Sequence, residues 1–355
     1  MSSIPQSITP APQRSESVVM GRQDFLSVLL RATGGELYKI RRRLMSKVLL
    51  FIAIPLMLII FAFVLLIVAI NVNTPATTYL IPCSSRASFG GSTSALPCKQ
   101  GDTPTQDEIQ QAEAYKQAQI KQVSAPLRLP DSLSFAVGTI NYVGLIILII
   151  LTGSLVGGEY GIGTIRLLLT RGPTRLQYFL AKIFAILITI VALVLLLTII
   201  GIVVGALFNL VSGVAVDFGF LNGTWILHAI LYLLICMLGL FVWTMITLFL
   251  STIGRATAAG LAGGLVWWFL EGVIGTILGI VGNLTKGSFG DFLKAVPDYF
   301  IGNNVGALLD NQNQYLTNGK PSPISDLHAI LVLLAYLVVF LGIALWVHLR
   351  RDVTN

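Results

Sequence analysis

The chain alternates between long apolar runs and polar connecting segments. The runs are 48–70, 137–156, 183–208, 225–250, 257–282 and 327–349, and only one of them, the fifth, carries an acid, Glu271, near its middle. Crossing a hydrocarbon layer of about 30 Å takes about 20 mostly apolar residues in a helix. None of the runs shows the two-residue alternation of a barrel strand with one face in lipid. Backbone polar groups must be paired within the segment when no water is present, so each run is predicted to be a helix. Pro55 interrupts the first run, and Arg350 and Arg351 close the last. The predicted class is all-α: a polytopic membrane protein with six transmembrane helices in one transmembrane domain over 48–349.

The polar segments differ in kind. Residues 1–20 are polar, contain Pro and Ser, and have no apolar core for a cleavable signal, so they read as a disordered tail. Residues 21–47 are a lead-in to the first span, basic at its end. Two long segments, 71–136 and 283–326, fall on one side of the predicted bundle. The first holds Cys83 and Cys98, while the third cysteine, Cys236, lies in the fourth span. On an oxidising face this pair is expected to form a disulfide, the alternative being two free thiols. The same segment predicts a helix over 105–123. Thr105 and Glu108 have capping-box spacing, and Ile109, Ala112, Ile120 and Val123 recur near helical period. Residues 283–326 are rich in Asn, Gly and Pro and predict no element. The Asn-x-[ST] triplets at Asn222 and Asn283 add no further signal.

Composition agrees with this pattern: 55% of the 355 residues are hydrophobic and 11% charged, against roughly a quarter charged in soluble domains. The net charge of +7 is unevenly placed. Fifteen Lys and Arg fall on the side holding both termini, against three in 283–326. The long segment 71–136 carries five more, but long loops cross largely regardless of charge. Both termini are therefore expected in the cytoplasm, and 71–136 and 283–326 outside, with 71–136 a large first exterior loop. Clusters such as Arg41-Arg42-Arg43 and Lys47 suit anionic headgroups of a lipid bilayer, not nucleic acid.

Several chemistries lack their residues. The chain has no G-x-x-x-x-G-K-[ST] phosphate loop, so ATP hydrolysis by that machinery is not expected. His228, His328 and His348 are scattered at span ends, and no metal-ligand cluster or Ser/His/Asp set can be read from them. No catalytic residue, metal or directly bound cofactor is expected.

The segment 157–178 between the second and third spans carries the richest pattern. It predicts a short helix, a stop at Gly172-Pro173, and a second helix capped by Thr174 that continues into the third span. Ile165, Leu168 and Leu169 form an apolar stripe, with Glu159, Arg166, Arg171 and Arg175 on the other side. On charge alone this is a basic loop obeying the positive-inside rule.

The pattern as a whole, Glu159, Tyr160, Gly163, Thr164, Arg166, Leu168, Leu169, Arg171, Gly172 and Arg175, then Ala181 and Lys182, closely resembles the corresponding segment of type-2 ATP-binding-cassette (ABC) exporter permeases. The lead-in Glu36-Leu37-Tyr38-Lys39-Ile40-Arg41-Arg42-Arg43 resembles the amphipathic helix preceding the first span in that family. The resemblance covers most of the chain in layout and these two stretches in sequence. It implies that 157–178 is a cytoplasmic coupling segment docking on a separate ABC ATPase subunit. It also implies a second permease subunit, identical or not, and ATP used only through the ATPase partner. The expected location is a cell membrane, that of a bacterium. The rival reading is a gradient-driven secondary transporter or channel using Glu271, since an intramembrane acid needs a partner or a purpose. No internal repeat supports that rival. An assembly or sensor role is a third possibility. The cargo is unnamed; the scarcity of charge in the spans favours an apolar or amphipathic one.

Overall fold

In the computed structural model, residues 24–82, 97–99, 103–162, 174–211, 218–285 and 287–350 are described. The six predicted spans are all helices, each reaching beyond its apolar run. A lead-in helix α1 (Phe25–Arg42) precedes the first span, α2 (Leu44–Asn73). Between them Arg43 alone is extended, with φ −66° and ψ 130°, making a one-residue elbow. Pro55 lies inside α2, and the helix continues through it. A soluble helix interior disfavours proline, whereas membrane helices tolerate it.

Beyond the first span, Ile81–Pro82 (β1) pairs in parallel with Cys98–Lys99 (β2). Cys98 is disulfide-bonded, Cys236 is free and buried, and Cys83 lies outside the described residues, as does the tail 1–20. The helix expected from the capping box is present as α3 (Gln106–Ser124). Thr105 Oγ1 accepts from Glu108 N, and Thr105 N donates to the Glu108 carboxylate at 2.8 Å. Lys116 Nζ donates to Val72 O at 2.8 Å, satisfying an end carbonyl of the first span.

The second span comprises α4 (Asp131–Thr139), a π-turn at Ile140–Gly144, and α5 (Leu145–Ile162). It extends two turns past its expected end, so the segment 157–178 begins as helix. The third span is α6 (Arg175–Val211) and the fourth α7 (Gly223–Gly254). Asn222 caps the fourth span by accepting from Trp225 N at 2.8 Å, which gives this triplet a structural use. Arg255, left-handed at φ 50°, turns the chain straight into the fifth span, α8 (Thr257–Leu284).

The segment 283–326 departs from expectation. It folds as α9 (Ser288–Ala295), a 3-10 turn at Val296–Tyr299, and α10 (Ile301–Thr317). α9 folds back along the fifth span, with Lys294 and Gly290 against Gly282. α10 then packs on the fourth span, where Val305 fills the space above Gly239. Gly239 lies halfway along its helix, so this is a helical hairpin dipping into the bundle and not an irregular loop. Its polar side chains serve the turn: Asn304 Nδ2 donates to Asp298 O and Phe300 O, both at 2.7 Å. Asn311 joins Asp326 Oδ1 at 2.7 Å at the start of the sixth span, α11 (Asp326–Arg350).

The second and fourth spans are the most enclosed, and the fourth packs on the second, third, fifth and sixth. Small residues allow the closest approaches. A Cβ on Gly260 would fall on Ser251, one on Gly264 on Thr247, and one on Gly157 on the Thr257 backbone. The first and fifth spans are peripheral, and the fifth is the least buried of all.

Candidate functional site

At the end of the bundle holding α1, four charged side chains from three elements meet, three of them buried and Lys39 partly exposed. Glu159, in the last turns of α5, receives Lys182 Nζ from α6 at 2.6 Å and Lys39 Nζ from α1 at 2.9 Å. Glu36, one turn before Lys39 on α1, receives Lys39 Nζ at 2.6 Å and Lys182 Nζ at 3.3 Å. The side chains of Lys182, Glu36 and Glu159 are 4–6% exposed, so these are buried charges that must be compensated. Two carboxylates and two ammonium groups close the set at zero net charge.

Helical spacing explains how each element contributes. Glu36 and Lys39 are three apart on α1, and Tyr178 and Lys182 four apart on α6, so each pair shares a face. The Tyr178 hydroxyl donates to the second oxygen of Glu159, and Lys182 Nζ lies 4.9 Å from the Tyr178 ring centre. Burial pulls the Lys39 ammonium down, but the hydrogen bond and charge of Glu36 and the charge of Glu159 outweigh it. Its pKa stands above the ordinary lysine range, so it keeps its proton at neutral pH.

Surrounding contacts tie the cluster to the start of α1, the elbow after it and the sixth span. Thr174 caps α6 as expected: its Oγ1 accepts from Gln177 N at 3.2 Å, and Gln177 Oε1 accepts from Thr174 N at 2.9 Å. Gln177 Nε2 also reaches Phe25 O at the start of α1, at 3.2 Å. Arg175 Nη1 donates to Leu349 O at 3.0 Å, and His348 stacks on Tyr178 with ring centres 5.9 Å apart, which joins the sixth span. Arg43 Nη1 holds the elbow to Ser154 O on α5 at 2.9 Å.

The expected site residues thus divide. Glu159 points into the bundle, where lysines from two other elements receive it. Arg175 lies at the first turn of α6, and Tyr160 in the last turn of α5. Gly163, Thr164, Arg166, Arg171 and Gly172 lie outside the described residues. Glu36 and Lys39 were legible only as part of the lead-in pattern. Their signal was available: Glu36 is the only acid between Asp24 and Asp102, and Glu159 the only one between Asp131 and Asp217. A lone acid in a basic flank calls for a buried partner.

Glu271 takes no part in this cluster. Its Oε1 accepts from Gly302 N, at the start of α10, at 2.6 Å. It therefore caps the dipping hairpin at mid-depth, satisfying one of the amide groups that a helix start leaves open. Beside it is a cavity of about 540 Å³, lined also by Asn141 and Tyr142 of the π-turn, Trp268, Thr276 and Asn303.

Six helices long and apolar enough to cross a membrane, with a buried charge cluster at one end of the bundle, mark a multi-pass membrane protein. A family model described as "ABC-2 family transporter protein" matches residues 39–353. The chain belongs to that family, and is a permease component of an ABC transporter. No curated protein matches the chain at a significant level.

Proposed function

We propose that this chain is the membrane-spanning subunit of an ATP-driven exporter, with 157–178 as the docking element for a separate ABC ATPase subunit. Both termini and that segment face the cytoplasm, in keeping with the fifteen-to-three distribution of basic residues. The observation that carries the reading is the charge cluster. Glu159 lies at the start of the segment and Lys182 just beyond its end, and they are tied to each other and to Glu36 and Lys39. A push on the segment from a docked ATPase would move the second span, the third span and α1 together as a rigid group. The segment is too short to be a domain, and its basic residues suit acids on a partner. A second permease subunit completes the assembly, supported by the apolar face that Val266, Phe269, Val273 and Ile277 leave exposed on the fifth span. Glu271, committed to capping α10, supports packing over gradient coupling.

Charge reversal of Arg166 or Arg171 in the permease–ATPase complex is expected to lower complex yield or uncouple hydrolysis from transport, with membrane insertion unchanged. Loss of one buried charged contact at an interface costs about 2–5 kcal/mol, or at least thirty-fold in affinity. If both variants bind and transport like the parent, the segment is a basic anchor and the proposal fails.

A further inference from the structure

Below the first span, the structure leaves a groove that the transport cycle as described does not use. α2 touches the second and third spans at few positions. A cavity of about 350 Å³ opens between them, within the usual range for small-ligand sites. Its walls are apolar: Leu49 on the first span, Leu148 and Leu151 on the second, Ala192, Leu193 and Leu196 on the third. Its mouth is different. Arg41, from the last turn of α1, and Lys47, from the first turn of α2, stand on either side of the elbow. Neither makes an ion pair among the described residues. Ser46 lies between them, and its hydroxyl is buried with no hydrogen-bond partner. The elbow between them is held to the second span by Arg43 Nη1 on Ser154 O, and both cations line the same cavity.

An apolar slot that opens at two uncommitted cations and an unsatisfied hydroxyl matches one kind of molecule in a membrane. We propose that the groove binds an anionic phospholipid of the leaflet facing α1, with one acyl chain between the first, second and third spans and its phosphate at Arg41, Ser46 and Lys47. The charge complementarity selects an anionic lipid, because a zwitterionic headgroup would set its own ammonium group among these cations. Basic pockets between spans at the membrane surface are suited to such headgroups. The lipid also fills space that the loosely packed first span leaves open, so it joins that span to the rest of the bundle.

The test uses the full chain purified in mild detergent, with native mass spectrometry during titration by phosphatidylglycerol or phosphatidylcholine of identical acyl chains. The parent is expected to hold one phosphatidylglycerol at least ten-fold more tightly than phosphatidylcholine. Arg41→Gln with Lys47→Gln is expected to erase that preference, whereas Lys294→Gln with Lys320→Gln, at the opposite end, retains it. Ala192→Trp, which fills the slot with both cations intact, is expected to weaken phosphatidylglycerol binding at least five-fold. Equal binding of the two lipids by the parent overturns the proposal whether or not any variant folds. So does an undiminished preference in the Arg41/Lys47 variant, or undiminished binding in Ala192→Trp.

Discussion

Glu159 shows how much one carboxylate decides here. It accepts from two ammonium groups and a phenol, and each donor comes from an element that also contacts another part of the base. Removing one member of a buried charged set leaves its partner uncompensated, at a cost of about 3–5 kcal/mol. Glu159→Gln or Lys182→Met is therefore expected to lower the thermal unfolding midpoint in detergent by several degrees. Both are also expected to reduce transport per ATP hydrolysed more than hydrolysis itself. Arg350→Gln removes one positive charge outside the cluster, as Lys182→Met does within it, and should do neither. Unfolding curves and coupled assays on the same preparations check this. A variant of Glu159 as stable and as tightly coupled as the parent would show the cluster to be incidental.

Among the elements, the fifth span and the dipping hairpin behind it are the informative ones. Gly260, Gly263 and Gly264 seat the span on the fourth, whereas Gly272 has open space and Gly275 makes only ordinary contact with Phe300. The glycines of this one helix therefore differ in what they do, and of the two groups only the first marks a close approach. Gly260→Leu is expected to separate the fourth and fifth spans, since overpacking a close contact costs about 1–3 kcal/mol or more. Gly272→Leu should be neutral, and thermal stability of the two variants in detergent distinguishes them. The same contrast explains what was legible beforehand. The six spans announce themselves because lipid demands some twenty apolar residues in a row. α3 was readable from one capping box. α10 was not, because its Asn303, Asn304, Asn311, Gln312, Asn313 and Gln314 resemble a solvated loop until their partners are seen: backbone carbonyls for Asn303, Asn304, Asn311 and Gln314, His228 for Gln312 and Ser134 for Asn313. In the charge cluster, Glu159 and Lys182 were visible in a sequence pattern. Their meeting with Glu36 and Lys39 depends on α1 docking against the third span, which no local pattern encodes.

At the scale of the whole molecule, the buried charge cluster lies at one end and the dipping hairpin enters from the other. The proposed orientation puts the charged end in the cytoplasm. With single cysteines in a Cys-free background, an impermeant thiol reagent on intact cells is expected to label Lys320→Cys but not Arg171→Cys. The reverse pattern would invert the orientation and remove the ATPase from reach of 157–178. The central claim, that this segment meets an ABC ATPase subunit, is tested most directly by photo-crosslinking. A benzophenone amino acid placed at Arg171 in the full chain, expressed in its own cell, is irradiated and the adduct identified by mass spectrometry. The account predicts an adduct with a peptide of an ABC ATPase subunit, absent when the probe is moved to Lys320. Adducts with lipid alone at Arg171 would contradict it.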